Sequence, residues 1–111
     1  MKGELAGGWS TTATGRPSFE VFAASPEMVF AVLKLSARVG FTVVRGPGVG
    51  LDCVIAEIER ERVRICVGWD IWSGVYVFAS DERGDDAVRE LAKLVEPRLI
   101  TAEFQRYVQV W

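Results

Sequence analysis

Cys53 and Cys66 are the side chains best suited to nucleophilic chemistry, and nothing in the composition is equipped to activate them. The chain contains no histidine, which removes the commonest general base and the commonest zinc ligand together. A reactive thiol needs a basic neighbour to lower its pKa, so both cysteines read as small apolar residues within strands. The usual serine triad cannot be assembled either, and a serine–lysine pair has only Lys2, Lys34 and Lys93 to draw on. Gly46, Gly48 and Gly50 are spaced like a phosphate loop. Such a loop needs a helix directly after it, whereas strand-forming residues follow here, so the glycines read as a wide turn with positive φ. Asp81, Glu82, Asp85 and Asp86 miss the spacing of a calcium loop and enclose Arg83, which describes a solvated loop before a helix. The expectation is a chain with no catalytic residue, metal ligand or cofactor.

Recognition chemistry is better represented. In Gly68-Trp69-Asp70-Ile71-Trp72-Ser73-Gly74, two tryptophans, an isoleucine and a carboxylate crowd a bend where a core has limited use for them. Tryptophan is enriched at interface hot spots because it offers large area at low entropic cost. Trp69 is expected to continue a core face, leaving Trp72 and Asp70, with Asp52 across the sheet, as candidate partner contacts. A second candidate surface is the charge ladder of Glu57, Glu59, Arg62 and Arg64, on a sheet face with no helix over it.

These side chains depend on elements that are largely legible. Ser25-Pro26-Glu27 is a helix start, with Ser25 at the N-cap and Pro26 at the first helical position, and Gly40 closes the segment. Glu27, Ala31, Lys34 and Arg38 form one wet stripe on an otherwise apolar helix. Four strand-like runs follow: Phe41–Arg45, Asp52–Glu59, Arg62–Asp70 and Gly74–Ser80. Connections this short require antiparallel neighbours. Setting Glu59 opposite Arg62 places Glu57 by Arg64, Ile55 by Cys66 and Cys53 by Gly68. It also pairs Ile58 with Val63, Ala56 with Ile65 and Val54 with Val67, an aliphatic ladder on the other face. The thiols then lie apart on a diagonal and stay free. For the last hairpin, Val75, Val77 and Ala79 compete with Tyr76 and Phe78 for the core side. A second helix is capped by Asp85 or Asp86, buries Val88, Leu91, Val95 and Leu99, and breaks at Pro97. Ile100, Phe104, Tyr107, Val108 and Trp111 continue as a helical stripe, although Arg106–Trp111 also alternates like a strand. The architecture expected is α+β: a four-stranded antiparallel meander with helices on one face, in the order α-β-β-β-β-α plus a C-terminal helix. Residues 1–17 read as a flexible arm with Trp9 as its one large apolar anchor, and 18–111 as one domain.

The chain has 111 residues, half of them hydrophobic and a quarter charged, with a formal net charge of −2. That length is one domain with a real core, and the mild acidity argues against a nucleic-acid partner. The longest apolar run, Met28–Leu33, is far too short for a bilayer. With no run fit for a signal peptide and two unpaired cysteines, a cytoplasmic protein is expected.

The run GFTVVRGPGVGLDCVIAEIERERVRICVGWDIWSGVYVFA resembles small bacterial immunity-type proteins found beside polymorphic or contact-dependent toxins. The likeness lies in element order over residues 25–99. Its punctuation is a Gly40-Phe41 strand start, a glycine-rich turn before an acid, a strand ending in Trp69-Asp70, and a Ser73-Gly74 turn. The resemblance implies a non-catalytic inhibitor that binds and blocks a toxin domain made by the same cell. Inhibitors of basic nucleases are often more acidic than −2, so the class of toxin is left open. The alternative reading is a small self-associating, homodimeric or ligand-binding domain, with the exposed sheet or the C-terminal aromatic stripe at its interface.

Overall fold

A computed structural model describes residues 4–109; Lys2 and Trp111, both invoked above, lie outside them. The chain is α+β with a six-stranded antiparallel sheet. Its strands are β1 (Ala6–Thr11), β2 (Pro17–Phe22), β3 (Thr42–Val49), β4 (Cys53–Arg60), β5 (Val63–Asp70) and β6 (Gly74–Ala79). Helix α1 (Met28–Arg38) joins β2 to β3, α2 (Asp85–Val95) follows β6, and a short α3 (Ala102–Gln105) comes near the end. The spatial order is β1-β2-β6-β5-β4-β3, so α1 carries the chain from the inner strand β2 to the far edge.

The segment read as a flexible arm contains β1, and β1 and β2 extend the expected four-stranded meander to six strands. In β2, Phe19 and Val21 are buried while Glu20 and Phe22 point to the other side, an ordinary two-residue alternation. β1 has only Trp9 as a large side chain, its ring tilted at 57° against Phe19 with centroids 5.4 Å apart, so composition alone did not mark it.

One side of the sheet carries the core. Phe19 and Val21, Val75 and Val77, Ile65 and Val67, and Ala56 and Ile58 are nearly fully buried. They meet Met28, Val29 and Val32 of α1, Val88, Leu91 and Val95 of α2, and Phe104. The last hairpin therefore resolves with Val75, Val77 and Ala79 inward and Tyr76 and Phe78 on the open face. The second helix buries the stripe its periodicity indicates, including Leu99 beyond its end. Pro97 ends it in a single 3-10 turn, Glu96–Arg98. The C-terminal stripe is only in part helical: after α3, Val108 forms an isolated bridge to Ala24.

The β4–β5 register differs from the expected one by two residues. Glu59 faces Arg64, Glu57 faces Cys66, Ile55 faces Gly68 and Cys53 faces Asp70. On the core side Ile58 meets Ile65, Ala56 meets Val67 and Val54 meets Trp69. The cause is the turn, which is Glu61-Arg62 rather than Arg60-Glu61, with φ of 52° and 66°. Positive φ at both positions matches the right-handed twist of a two-residue hairpin, but neither residue type announces it. An even slip leaves every side chain on its face, so the division into core and open sides was right while the partners were not.

Capping also differs. Glu27, not Ser25, is at the α1 N-cap, and no side chain caps it. Ser25 instead opens a turn in which its carbonyl accepts from Met28 N–H at 3.1 Å. At the C-terminus, Gly40 (φ 93°) and Phe41 donate back to the Ala37 and Ser36 carbonyls, the double bond of a Schellman motif. Helix α2 has Gly84 at its N-cap, while the Asp85 carboxylate pairs with Arg16 at 2.6 Å.

Candidate functional site

The bend between β5 and β6 is a three-residue loop, Ile71-Trp72-Ser73, closed by Asp70 opposite Gly74. Gly74 has φ of 74°, and a Cβ there would lie 2.2 Å from the Val21 carbonyl oxygen, so glycine is required twice over. The Asp70 carboxylate accepts from Trp72 N–H at 2.9 Å and Ser73 N–H at 2.6 Å. Through Oδ1 it therefore staples the loop internally. Trp69, one residue earlier, is buried and donates its indole N–H to the Ala24 carbonyl at 2.7 Å. With both flanks pinned, Trp72 stands 88% exposed and Ile71 47% exposed.

The neighbouring β3–β4 connection adds to this patch. Ile71 N–H donates to the Asp52 carbonyl at 3.3 Å, and Gly50 N–H to the Cys53 carbonyl at 2.8 Å. These bonds hold Leu51, fully exposed, and Val49, 70% exposed, at the same end of the sheet. On the other side of the bend, Phe22 at the end of β2 is also exposed. It shares a hollow of about 120 Å³ with Trp69, Ile71 and Trp72. Five large apolar side chains thus stand in solvent along one rim, with the exposed Asp52 beside them. Trp72, Asp52 and Asp70 were legible as candidates. Leu51, Val49 and Phe22 were not: Gly46 and Gly48, expected to form a wide turn with Gly50, lie instead within an irregular β3 that runs on to Val49, and of the three only Gly46 has positive φ.

The remaining candidates do not join this rim. Glu57, Glu59 and Arg64 lie on the open face and neutralise one another: Arg64 reaches Glu57 at 3.3 Å and Glu59 at 3.8 Å, and Arg45 of β3 approaches Glu57 at 3.6 Å. Arg62 sits in the hairpin turn at the opposite end of the sheet.

The middle of the open face is aromatic. Tyr76 stacks on Phe78 at 5.8 Å and lies over Gly68, where a Cβ would meet the ring at 2.6 Å. Burial, with the Glu57 charge beside it, pushes the Cys66 thiol up to about 11. Burial, reinforced by Cys66 and Asp70, pushes the Tyr76 phenol up to about 12. Both groups keep their protons at neutral pH, so neither is an activated nucleophile or base. Both cysteines are free. Among the described residues, no three His, Cys, Asp or Glu side chains gather to hold a metal ion, and no helix is long and apolar enough to cross a membrane.

Comparisons with protein-family models, with curated proteins and with solved structures find no match to this chain. The functional reading therefore rests on the surface itself.

Proposed function

We propose that this chain is a non-catalytic protein-binding module that docks through the apolar rim formed by Val49, Leu51, Ile71, Trp72 and Phe22. The observation that carries the reading is Trp72, an 88% exposed tryptophan held on a stapled loop. A large aromatic presented on a rigid turn loses little freedom on binding and buries a large area, which is the physical profile of an interface anchor. Large apolar side chains gathered at one end of a sheet are also a solubility liability unless a partner covers them. Within this reading the module is of the immunity type, blocking a toxin domain by occlusion, with Asp52 on the rim's border to meet a basic contact. The support for that narrower statement is the resemblance in element order and punctuation described above.

The test is binding of a toxin domain encoded beside this chain's gene, measured by calorimetry with wild-type protein and with Trp72→Ala. Loss of about 30-fold or more in affinity, near the 2 kcal/mol that marks a hot spot, is the expected result. Unchanged affinity in a folded Trp72→Ala protein would remove the rim from the interface.

A symmetric dimer is the second reading, and the outer edge of β1 favours it. Its six residues pair with β2 without a register break and carry no charge or proline, so the far edge keeps free backbone groups open to another strand. Light scattering of the protein alone over a wide concentration range separates the two readings. A mass that doubles with concentration supports the dimer, and a constant monomer mass rejects it.

A further inference from the structure

Between α1 and the C-terminal stretch lies a cavity of about 270 Å³ that shares no residue with the apolar rim. Its walls bring together Lys34, Arg38, Arg98 and Arg106, with Glu103 as the single carboxylate. We infer that this cavity is a binding site for a small organic phosphate, with the phosphoryl group among the four cations and a flat ring against Phe30 and Tyr107.

Most arginines elsewhere in the molecule are paired. Six of those outside the cavity, Arg16, Arg45, Arg60, Arg64, Arg83 and Arg89, each lie between 2.6 and 3.8 Å from a carboxylate oxygen. Arg62 and Lys93 make no ion pair among the described residues, but neither lines this cavity. Among the described residues, no ion pair engages Lys34, Arg38, Arg98 or Arg106, even though Glu103 lines the same cavity. A chain with 15 acidic and 13 basic residues has carboxylates to spare, yet it gathers a local excess of three positive charges here. A cavity of this volume is about 8 Å across, no more than the screening length at physiological salt, so these charges repel one another appreciably. An anion carrying two charges relieves that repulsion, and a carboxylate with one charge relieves less of it.

The site is also partly organised. Lys34 and Arg38 are one helical turn apart on α1, so their heads lie on the same face. Arg98 is half-buried, and its Nη1 donates to the Leu94 carbonyl at 2.7 Å, which holds the guanidinium in place and leaves its other N–H groups for a ligand. A fixed planar fork is the geometry that suits phosphate oxygens. The ring platform comes from Phe30, one turn before Lys34 and 43% exposed, and from Tyr107, over which Arg106 already sits at 5.5 Å. The volume is at the small end for ligand sites and suits one phosphate with one ring system rather than a long chain.

The probes are inorganic phosphate, adenosine and adenosine 5′-monophosphate, titrated into the full chain at constant ionic strength and followed by amide chemical shifts. Expected are shifts confined to α1, the turn at Arg98 and residues 102–107, with the monophosphate binding about ten-fold or more tighter than adenosine. Inorganic phosphate should compete with it. Lys34→Gln changes an exposed side chain with no partner and should weaken the monophosphate about five-fold or more, while Trp72→Ala leaves it unchanged. Equal binding of adenosine and its monophosphate, or full affinity in Lys34→Gln and in Arg98→Gln, would overturn the proposal. So would shifts spread over all basic surfaces, which would mark nonspecific charge attraction. Failure of the rim to bind a partner leaves this outcome unaffected, because the two surfaces are separate.

Discussion

The two ends of the sheet are built from the same strands and treat their exposed side chains in opposite ways. At the end holding the Glu61-Arg62 turn, Arg60 and Arg83 are satisfied within the molecule. Arg60 makes a two-pronged bond to Glu90 at 2.8 and 3.0 Å, donates to the Val39 carbonyl at 2.7 Å and lies 4.4 Å over the Phe41 ring. Nearby, Arg83 wraps the Asp81 carboxylate and holds its pKa below the usual carboxylate range. At the end holding the Ile71-Trp72-Ser73 loop, the loop N–H groups are again satisfied internally, but the apolar side chains are left in water. The difference teaches that exposure is informative where the backbone is stapled: a disordered tryptophan could turn inward, whereas Trp72 is held out.

The comparison can be broken most severely at Trp69, which anchors the apolar end to the core. Trp69→Ala removes a buried ring and leaves the Ala24 carbonyl unpaired, so a loss of about 3–5 kcal/mol in denaturant unfolding is expected. A loss under about 1 kcal/mol would show that the bend is not fastened through this residue. Next come Asp70 and Trp72, neighbours in space with opposite roles. Asp70→Ala should cost about 1–2 kcal/mol of stability, as the loss of a turn or cap acceptor does. Trp72→Ala should change stability by no more than about 0.5 kcal/mol and act on partner binding instead. An Asp70→Lys change therefore reports on the fold before it reports on the interface.

At the charged end the expected effects are smaller. Replacing Glu61-Arg62 by Asn-Gly suits the positive φ of both positions and should stabilise the protein by about 1 kcal/mol in thermal unfolding. No gain would mean that the two residues make compensating contacts. The smallest effect belongs to Glu90, whose carboxyl is held below its usual 4.5 chiefly by the hydrogen bond from Arg60. A depressed folded-state value contributes stability above the unfolded-state pKa and loses it as pH falls through the folded one. Wild type should thus lose under about 1 kcal/mol more than Glu90→Gln between pH 6 and pH 3, since the pair is largely solvated. Equal acid sensitivity of the two proteins would reduce the pair to a surface coincidence.

Much of this was readable in particular residues. Phe41 to Ala79 alternates clearly enough to show three antiparallel connections, and Val88, Leu91, Val95 and Leu99 mark the second helix. Trp69 was legible as core and Trp72 as a candidate contact, because a bend has limited room for two tryptophans. Glu61-Arg62 carries no glycine or asparagine, so the turn was placed one residue early and the partners two residues off. β1 was unreadable because Gly7 and Gly8 offer nothing to pack. The rim was only half legible, since strand order, not sequence, brings Phe22 of β2 to the same end of the sheet as the Ile71-Trp72 bend.

The sequence by itself determined which sides of β4 and β5 are wet, where the main helices run and that histidine chemistry is absent, because all three follow from local periodicity and residue type. The inward side of β6, apolar on both faces, was settled by the helices packed against it. Only the tertiary structure decided that Asp70 accepts from the loop backbone, that the charge ladder is paired internally, and that Lys34, Arg38, Arg98 and Arg106 surround one cavity. Those outcomes depend on which distant groups the sheet register and helix packing bring within a few ångströms, and hydrogen bonds and ion pairs are settled at that distance.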